Sequence, residues 1–188
     1  MLRVEPLGSA HRDGYRALMD AAGLGCFCRY WQFEGTKNDW LERSALRPEE
    51  NEAEAFAVPA APDARGLVAL EDDRVVGWLK IAPTVAVPKL LRQPVYKRLP
   101  LAAEDAHAIV CFLVHPDLRQ TGVARALLQA APDFARAHGA RSLQAYPRRA
   151  SYRIPDEQAF AGPESLFLAE GFVVLHDEPP YPVLERRL

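Results

Sequence analysis

The sequence predicts an α/β protein with a mixed, mostly antiparallel sheet, one central parallel strand pair and helices on its flanks. Two observations carry that prediction. Residues 108–114, AIVCFLV, are a short unbroken apolar run rich in β-branched and aromatic residues, as a strand buried on both faces requires. After a polar turn, residues 123–138 place Leu127, Leu128, Ala131 and Phe134 on one helical face, and residues 142–146 read as a second strand. Strand, helix and strand in one sheet close right-handed with the two strands parallel. The 188 residues, 49% of them hydrophobic, suffice for one sizeable core and are too few for two ordinary domains, so residues 1–188 are expected to form a single domain.

Each remaining element has a local reason. Leu2 and Val4 alternate with polar neighbours and Pro6 follows, which suits a short strand at a sheet edge. Ser9 can cap a helix in which Tyr15, Leu18, Met19 and Ala22 share a face, and Gly23 and Gly25 can end it. Thr36 and Asp39 form a capping-box pair ahead of Trp40 and Leu41, and Pro48 fits the first turn of an acidic helix over residues 48–56. Residues 66–71 and 74–82 read as two strands joined by a tight Asp-rich turn, with Leu67, Val68, Val75, Val76 and Ile81 as apolar content. Residues 83–106 hold several prolines and no sustained period, the pattern of a long surface excursion; loops of that length are uncommon unless functional or disordered. Pro132 lacks an N–H and clashes with the preceding turn at a cost of about 3 kcal/mol, so a kink or restart is expected within residues 123–138. Pro163 opens a short helix ending at Gly171, and residues 172–175 and 182–188 supply two closing strands.

Composition narrows the function classes. The 23 Lys and Arg against 25 Asp and Glu leave a formal net charge of −2, so no global field recommends a nucleic-acid partner. No apolar run approaches the roughly 18–20 residues of a membrane helix, and the opening MLRVEPLGSAHRD has no signal-peptide core. The expectation is a cytoplasmic protein without a membrane partner. Cys26, Cys28 and Cys111 make an odd count without framework spacing, which argues for reduced thiols. Cys26 and Cys28 are too few ligands for zinc, and no metal is expected.

A buried strand that delivers a glycine turn into a helix N-terminus is a physical anion site, because the first helical N–H groups lack internal partners and the dipole favours negative charge. Here the turn is Arg119-Gln120-Thr121-Gly122-Val123-Ala124, with small residues at 122 and 124 that let an oxygen approach the backbone. It is neither a P-loop nor a Gly-x-Gly-x-x-Gly dinucleotide turn. It resembles the pyrophosphate signature of the GNAT superfamily of acyl-CoA-dependent N-acyltransferases: Arg or Gln, two residues, Gly, one residue, then Gly or Ala. Arg119, Gly122 and Ala124 fit that signature. The likeness extends upstream through CFLVHPDLR, downstream through ALLQAAPDFARAHGA, and to SLFLAEGF, which is similar to the family's last helix and Gly-Phe strand start. It covers most of residues 66–175.

The resemblance implies the GNAT fold, splayed at the strand of Val114 to admit a pantetheine arm. It implies transfer of an acetyl group from acetyl-CoA to a primary amine, of a small molecule or a peptide, by direct attack in a ternary complex. The pyrophosphate would rest on Arg119, Gln120, Thr121, Gly122, Val123, Ala124 and Arg125, and the arm along Phe112, Leu113 and Val114. A backbone N–H near Leu113 would stabilise the developing oxyanion. The alternative is a non-catalytic acyl-CoA-binding sensor or interaction module.

Direct transfer needs a neutral amine and a proton for the leaving thiolate. Many relatives carry a Tyr for this purpose four residues before the Gly of the Gly-Phe pair; this chain has Phe167 there. Tyr146 at the end of its strand and Tyr152 in the next loop are substitutes, or else packing residues. Glu104, Asp105 and His107 precede the central strand, where they either serve the amine as base or only solvate the strand start; His107 has the ordinary pKa best suited to neutrality. His115, in a His-Pro turn, reads as structural, and Cys111 as a small hydrophobe within its strand. Tyr30 and Trp31, in the segment CFCRYW, either line the acceptor pocket and stack on a cationic or aromatic substrate or cover the core. Arg148, Arg149 and Arg153 are solvated charges or hold the cofactor's 3′-phosphate or an acidic acceptor. Residues 83–106, with Arg92, Tyr96, Lys97 and Arg98, are a lid or an uneventful excursion. Exposed strand edges near the C-terminus are compatible with a homodimer.

Overall fold

A computed structural model describes residues 1–57, 66–101, 104–152, 154–155 and 159–188. Among these, strands β1 Leu2–Pro6, β2 Gly66–Glu71, β3 Arg74–Pro83, β4 Ala106–Val114, β5 Ser142–Ala145, β6 Val173–His176 and β7 Val183–Arg187 form one sheet in the order β1, β2, β3, β4, β5, β7, β6. Neighbours are antiparallel except β4 and β5, where Ala106 through Ile109 face Ser142 through Ala145 in parallel register. The expected mixed sheet with one central parallel pair is what the chain builds. The helices are α1 Arg12–Ala21, α2 Lys37–Leu46, α3 Pro48–Ala57, α4 Pro88–Leu91, α5 Val123–Ala137 and α6 Glu164–Ala169.

The local signals act as their chemistry requires. Thr36 Oγ1 accepts from the Asp39 N–H at 3.2 Å while Asp39 Oδ2 accepts from the Thr36 N–H at 2.8 Å, closing the capping box of α2. Asp72 and Asp73 take φ of +48° and +66°, the consecutive left-handed pair that a tight hairpin of this twist demands. Ser9 does not cap α1. Residues Ser9–His11 instead form a 3-10 turn, secured by the Gly8 N–H donating to His11 Nδ1 at 3.0 Å, and α1 starts at Arg12.

Side-chain alternation divides the core between two faces of the sheet. Leu67, Ala69, Leu79 and Ile81 pack with Leu127, Leu128 and Phe134 of α5. Val68, Leu70 and Trp78 point the other way, against Tyr15, Leu18 and Met19 of α1. Helix α5 does not restart at Pro132: Leu128, Ala131 and Pro132 are all buried, so packing on the sheet offsets the bond that the Leu128 carbonyl loses. Residues 83–101 are not a solvated excursion either. A 3-10 turn at Thr84–Ala86 and then α4 bring Val87, Leu90, Tyr96 and Leu101 against Ala108, Val110 and Tyr146, a third apolar cluster beside the parallel pair.

The parallel pairing ends early. β5 pairs with β4 only as far as Ile109, while β4 runs on to Val114. In the same stretch β3 opposes Lys80 to Cys111 but Ile81 to Ile109, so Val110 is an extra residue, a bulge that turns β4 away from β5.

Candidate active site

The splay leaves the second half of β4 with an open edge, and the alternation of its amides decides what that edge offers. The His115 N–H donates to the Val76 carbonyl of β3 at 2.9 Å, and the Phe112 N–H donates in the opposite direction, to the Phe160 carbonyl at 2.6 Å. Amide direction reverses at each residue of a strand. The N–H of Leu113 therefore turns to β3, where Leu113 pairs with Trp78, and those of Phe112 and Val114 face the splay. This corrects the oxyanion assignment to Leu113: the amides directed to the splay are those of Phe112, which the Phe160 carbonyl occupies, and Val114.

Beyond β4, the Thr121 hydroxyl donates to the Leu118 carbonyl at 2.7 Å, and the backbone passes through left-handed conformations at Gln120 (φ +65°) and Gly122 (φ +98°) into α5. The first helical bond runs from the Ala126 N–H to the Gly122 carbonyl, which leaves the N–H groups of Val123, Ala124 and Arg125 at the helix start without intrahelical acceptors. A Cβ at Gly122 would meet nothing within 4 Å. The turn is thus an open cradle of amide donors at the positive end of a fifteen-residue helix.

A cleft of about 470 Å³ joins cradle and strand edge, running from Phe112, Leu113 and Val114 past Arg119 to Ala124 and Arg125. Gly162, Pro163 and Leu166 close its far side. Gln120, Gly122 and Val123 also line it; Thr121, which braces the turn from within, does not.

Two further cavities meet this region. One of about 300 Å³ shares Phe112, Leu113 and Arg119 with the cleft and is walled by Tyr30, Trp31 and Trp40. The Tyr30 ring stands edge-on to Trp31 and Trp40, at centroid distances of 4.9 and 5.4 Å, and the Trp31 Nε1–H donates to the Val110 carbonyl at 3.4 Å. The other, of about 550 Å³, lies beside the end of β5 among Tyr96, Tyr146, Tyr181 and Arg148. Phe160 borders both. No carboxylate or imidazole lines the cleft or either cavity among the described residues.

The structure separates the other candidates. Tyr146 follows Ala145, the partner of Ile109, and so stands level with Val110, about 7 Å short of Phe112 along β4. It is buried, its hydroxyl donates to Gln144 Oε1 at 2.7 Å, and burial, with Tyr96 adjacent, holds the phenol well above the usual range. His107 is buried near the start of β4 between Pro83 and Leu143, roughly 17 Å from Phe112 at 3.3–3.4 Å per residue, and Glu104 is exposed still further back. Neither reaches the cleft or either cavity. His115 is structural: its Nδ1 accepts from the Asp117 N–H at 3.3 Å and its Nε2 lies 2.5 Å from an Arg74 nitrogen. Tyr152 is exposed and accepts from Arg148 at 2.9 Å. Arg149 is committed to Glu164 and Asp177, at 2.5 and 2.7 Å, and Arg153 lies outside the described residues. Phe167 is fully buried between the rings of Phe112 and Phe172. Phe160 and Gly162 from one loop and Trp40 from α2 also reach these walls, and nothing local in the sequence marks them as site residues; Arg148, one of the candidate basic residues, lines the cavity beside Tyr146.

The model of the acetyltransferase (GNAT) family matches residues 22–154 of the sequence. The chain belongs to the GNAT acetyltransferase family. As a member it is an acyltransferase. Its fold is shared across the whole chain with a GNAT-family acetyltransferase from Streptococcus pneumoniae, at 14% identity and a TM-score of 0.59, covering 100% of both chains. The PaiA N-acetyltransferase from Thermoplasma acidophilum, solved in complex with coenzyme A, aligns over 100% of this chain and 99% of its own, at 10% identity and a TM-score of 0.59. A GNAT acetyltransferase from Brucella melitensis, solved with acetyl-CoA, aligns over 98% and 87% at 16% identity and a TM-score of 0.53. Comparison with curated proteins finds no significant match. Among the described residues of this GNAT protein no helix is long and apolar enough to cross a membrane, and no three His, Cys, Asp or Glu side chains are grouped to hold a metal.

Proposed function

We propose that this GNAT protein, working as one domain, transfers an acetyl group from acetyl-CoA to the primary amine of an acceptor with an apolar or aromatic body, by direct attack. The observation that carries the reading is the shared wall: the cleft and the aromatic cavity meet at Phe112, Leu113 and Arg119, so a thioester in one lies against an amine in the other. Residues and group fit. The amides of Val123, Ala124 and Arg125 with Arg119 suit a pyrophosphate, and the open edge at Phe112 and Val114 suits the amides of an extended arm. Acetyl-CoA supplies an activated acetyl thioester when bound.

The chain's residues then divide the work. The N–H groups of Phe112 and Val114 face the splay; that of Val114 can polarise a carbonyl placed there, and that of Phe112 can do so only by giving up the Phe160 carbonyl. Tyr30, Trp31 and Trp40 hold the acceptor body. Tyr146, protonated at neutral pH, borders the neighbouring cavity rather than the cleft, with its hydroxyl bonded to Gln144. We take the ammonium to shed its proton to water before attack, so the rate should rise with pH toward the acceptor's own pKa; among the described residues no carboxylate or imidazole lines the walls. Burial of Phe167 where many relatives carry a Tyr favours a second reading, an acyl-CoA-binding module without turnover. Titration with acetyl-CoA followed by a screen of aromatic and aliphatic amines, read by thiol release, separates them. Binding with turnover supports the enzyme, binding without turnover the module, and no binding by folded protein refutes both.

A further inference from the structure

The smaller cavity has a feature that acetyl transfer does not use. Cys28 and Cys111, 83 residues apart, place their sulfurs 2.6 Å from one another. Both line the cavity, as does Cys26, whose thiol interacts with that of Cys28. Cys28 is buried on the segment after α1, and Cys111 is half-buried on β4 next to Phe112. Cys111 pairs with Lys80 of β3, and the buried Lys80 ammonium donates to the Cys28 carbonyl at 2.6 Å and to Gln32 Oε1 at 2.8 Å. One cation thus fixes the backbone that carries Cys28 directly over the strand that carries Cys111.

We propose that Cys28 and Cys111 are a redox-active dithiol, a modification site that a hydroperoxide closes to a disulfide, pinning residues 26–31 to β4. Cys111, the more accessible sulfur, attacks the peroxide. The O–O bond breaks, an alcohol or water leaves, and Cys111 becomes a sulfenic acid. The Cys28 sulfur then attacks the Cys111 sulfur, the S–S bond forms and water carries off the hydroxyl. Two thiols lose two electrons and the peroxide gains them. The contact with Cys111 and burial push the Cys28 thiol up, against the Cys26 contact and the Lys80 charge, which favour its thiolate. The dithiol chemistry stands on its own geometry; only its consequence, a stiffened acceptor wall beside Tyr30 and Trp31, rests on the function proposed above.

The test treats the intact protein with one equivalent of tert-butyl hydroperoxide, alkylates it with N-ethylmaleimide and maps peptides without reduction. The expected product is a Cys28–Cys111 cross-link with Cys26 alkylated, reversed by dithiothreitol. Three alkylated cysteines, a cross-link through Cys26, or Cys111 stopped at sulfinic acid would each overturn the proposal. Cys26→Ala should retain the cross-link and Cys111→Ala should lose it. Closing a loop of this length should raise the unfolding midpoint of the oxidised protein by about 10 °C. An unchanged midpoint would refute the pinning. Because none of these readouts uses acetyl-CoA or an amine, their outcome is independent of whether the acyltransfer reading holds.

Discussion

Gly122→Ala isolates the backbone chemistry of the anion cradle. At φ +98° an L-residue sits in left-handed space, at a cost of about 1–2 kcal/mol. A methyl there meets nothing within 4 Å, so packing adds no further cost. Gly139, at the other end of α5, is the matched control: its φ is +84° and its added Cβ also meets nothing within 4 Å. Each variant should lose about 1–2 kcal/mol in urea unfolding followed by circular dichroism, a fall of roughly 2–8 °C in midpoint for a chain of this size. Only Gly122→Ala should also weaken coenzyme A. A hydrogen bond to a charged acceptor contributes about 1.5–3 kcal/mol, so misaiming one amide costs roughly 10- to 100-fold in affinity by titration calorimetry. Gly122→Glu, which sets a carboxylate in the cradle, should abolish binding. Equal coenzyme A affinity in both alanine variants, together with normal binding by folded Gly122→Glu, would refute the cradle as the pyrophosphate site.

Other expectations test packing and charge. Phe167→Tyr buries a hydroxyl where Phe167 is fully enclosed by Phe112 and Phe172, and should lower stability by about 1–3 kcal/mol in urea unfolding. A faster enzyme without that loss would show that the hydroxyl reaches the cleft. Glu52 is buried on α3 between Arg12 and Arg16 of α1; burial pushes its carboxyl up, but the two guanidinium bonds outweigh this and hold it below the usual range. Its stabilising effect is therefore complete above the unfolded carboxyl pKa and is lost as the pH falls through the lower folded value. Glu52→Gln should cost about 1–3 kcal/mol at pH 7, with the gap to the parent protein closing on acidification below about pH 4, as urea unfolding at both pH values will show.

What was legible in the sequence follows from what is local. AIVCFLV needs only its own composition to declare a strand buried on both faces, and the Arg119 to Ala124 turn needs only its small residues and the helix behind it. Which amide of β4 faces the splay is not legible in the run itself, because amide direction depends on register. The bulge at Val110 resets that register against β3, and bulges leave no mark in an apolar run. His107 and Glu104 looked close to the chemistry because they adjoin the central strand, yet an extended strand carries each residue about 3.3 Å further away. Residues 83–101 lacked periodicity because their buried side chains come from irregular turns, so burial had no pattern to follow.

The bond from the Phe112 N–H to the Phe160 carbonyl makes any occupant of the β4 edge a competitor of the protein's own chain. A ligand that takes that amide exchanges one acceptor for another, and its apparent affinity falls by the fraction of molecules in which the internal bond is open. A departing ligand would leave an edge that the protein can satisfy by itself, so the loop that walls the cleft also favours the emptied site.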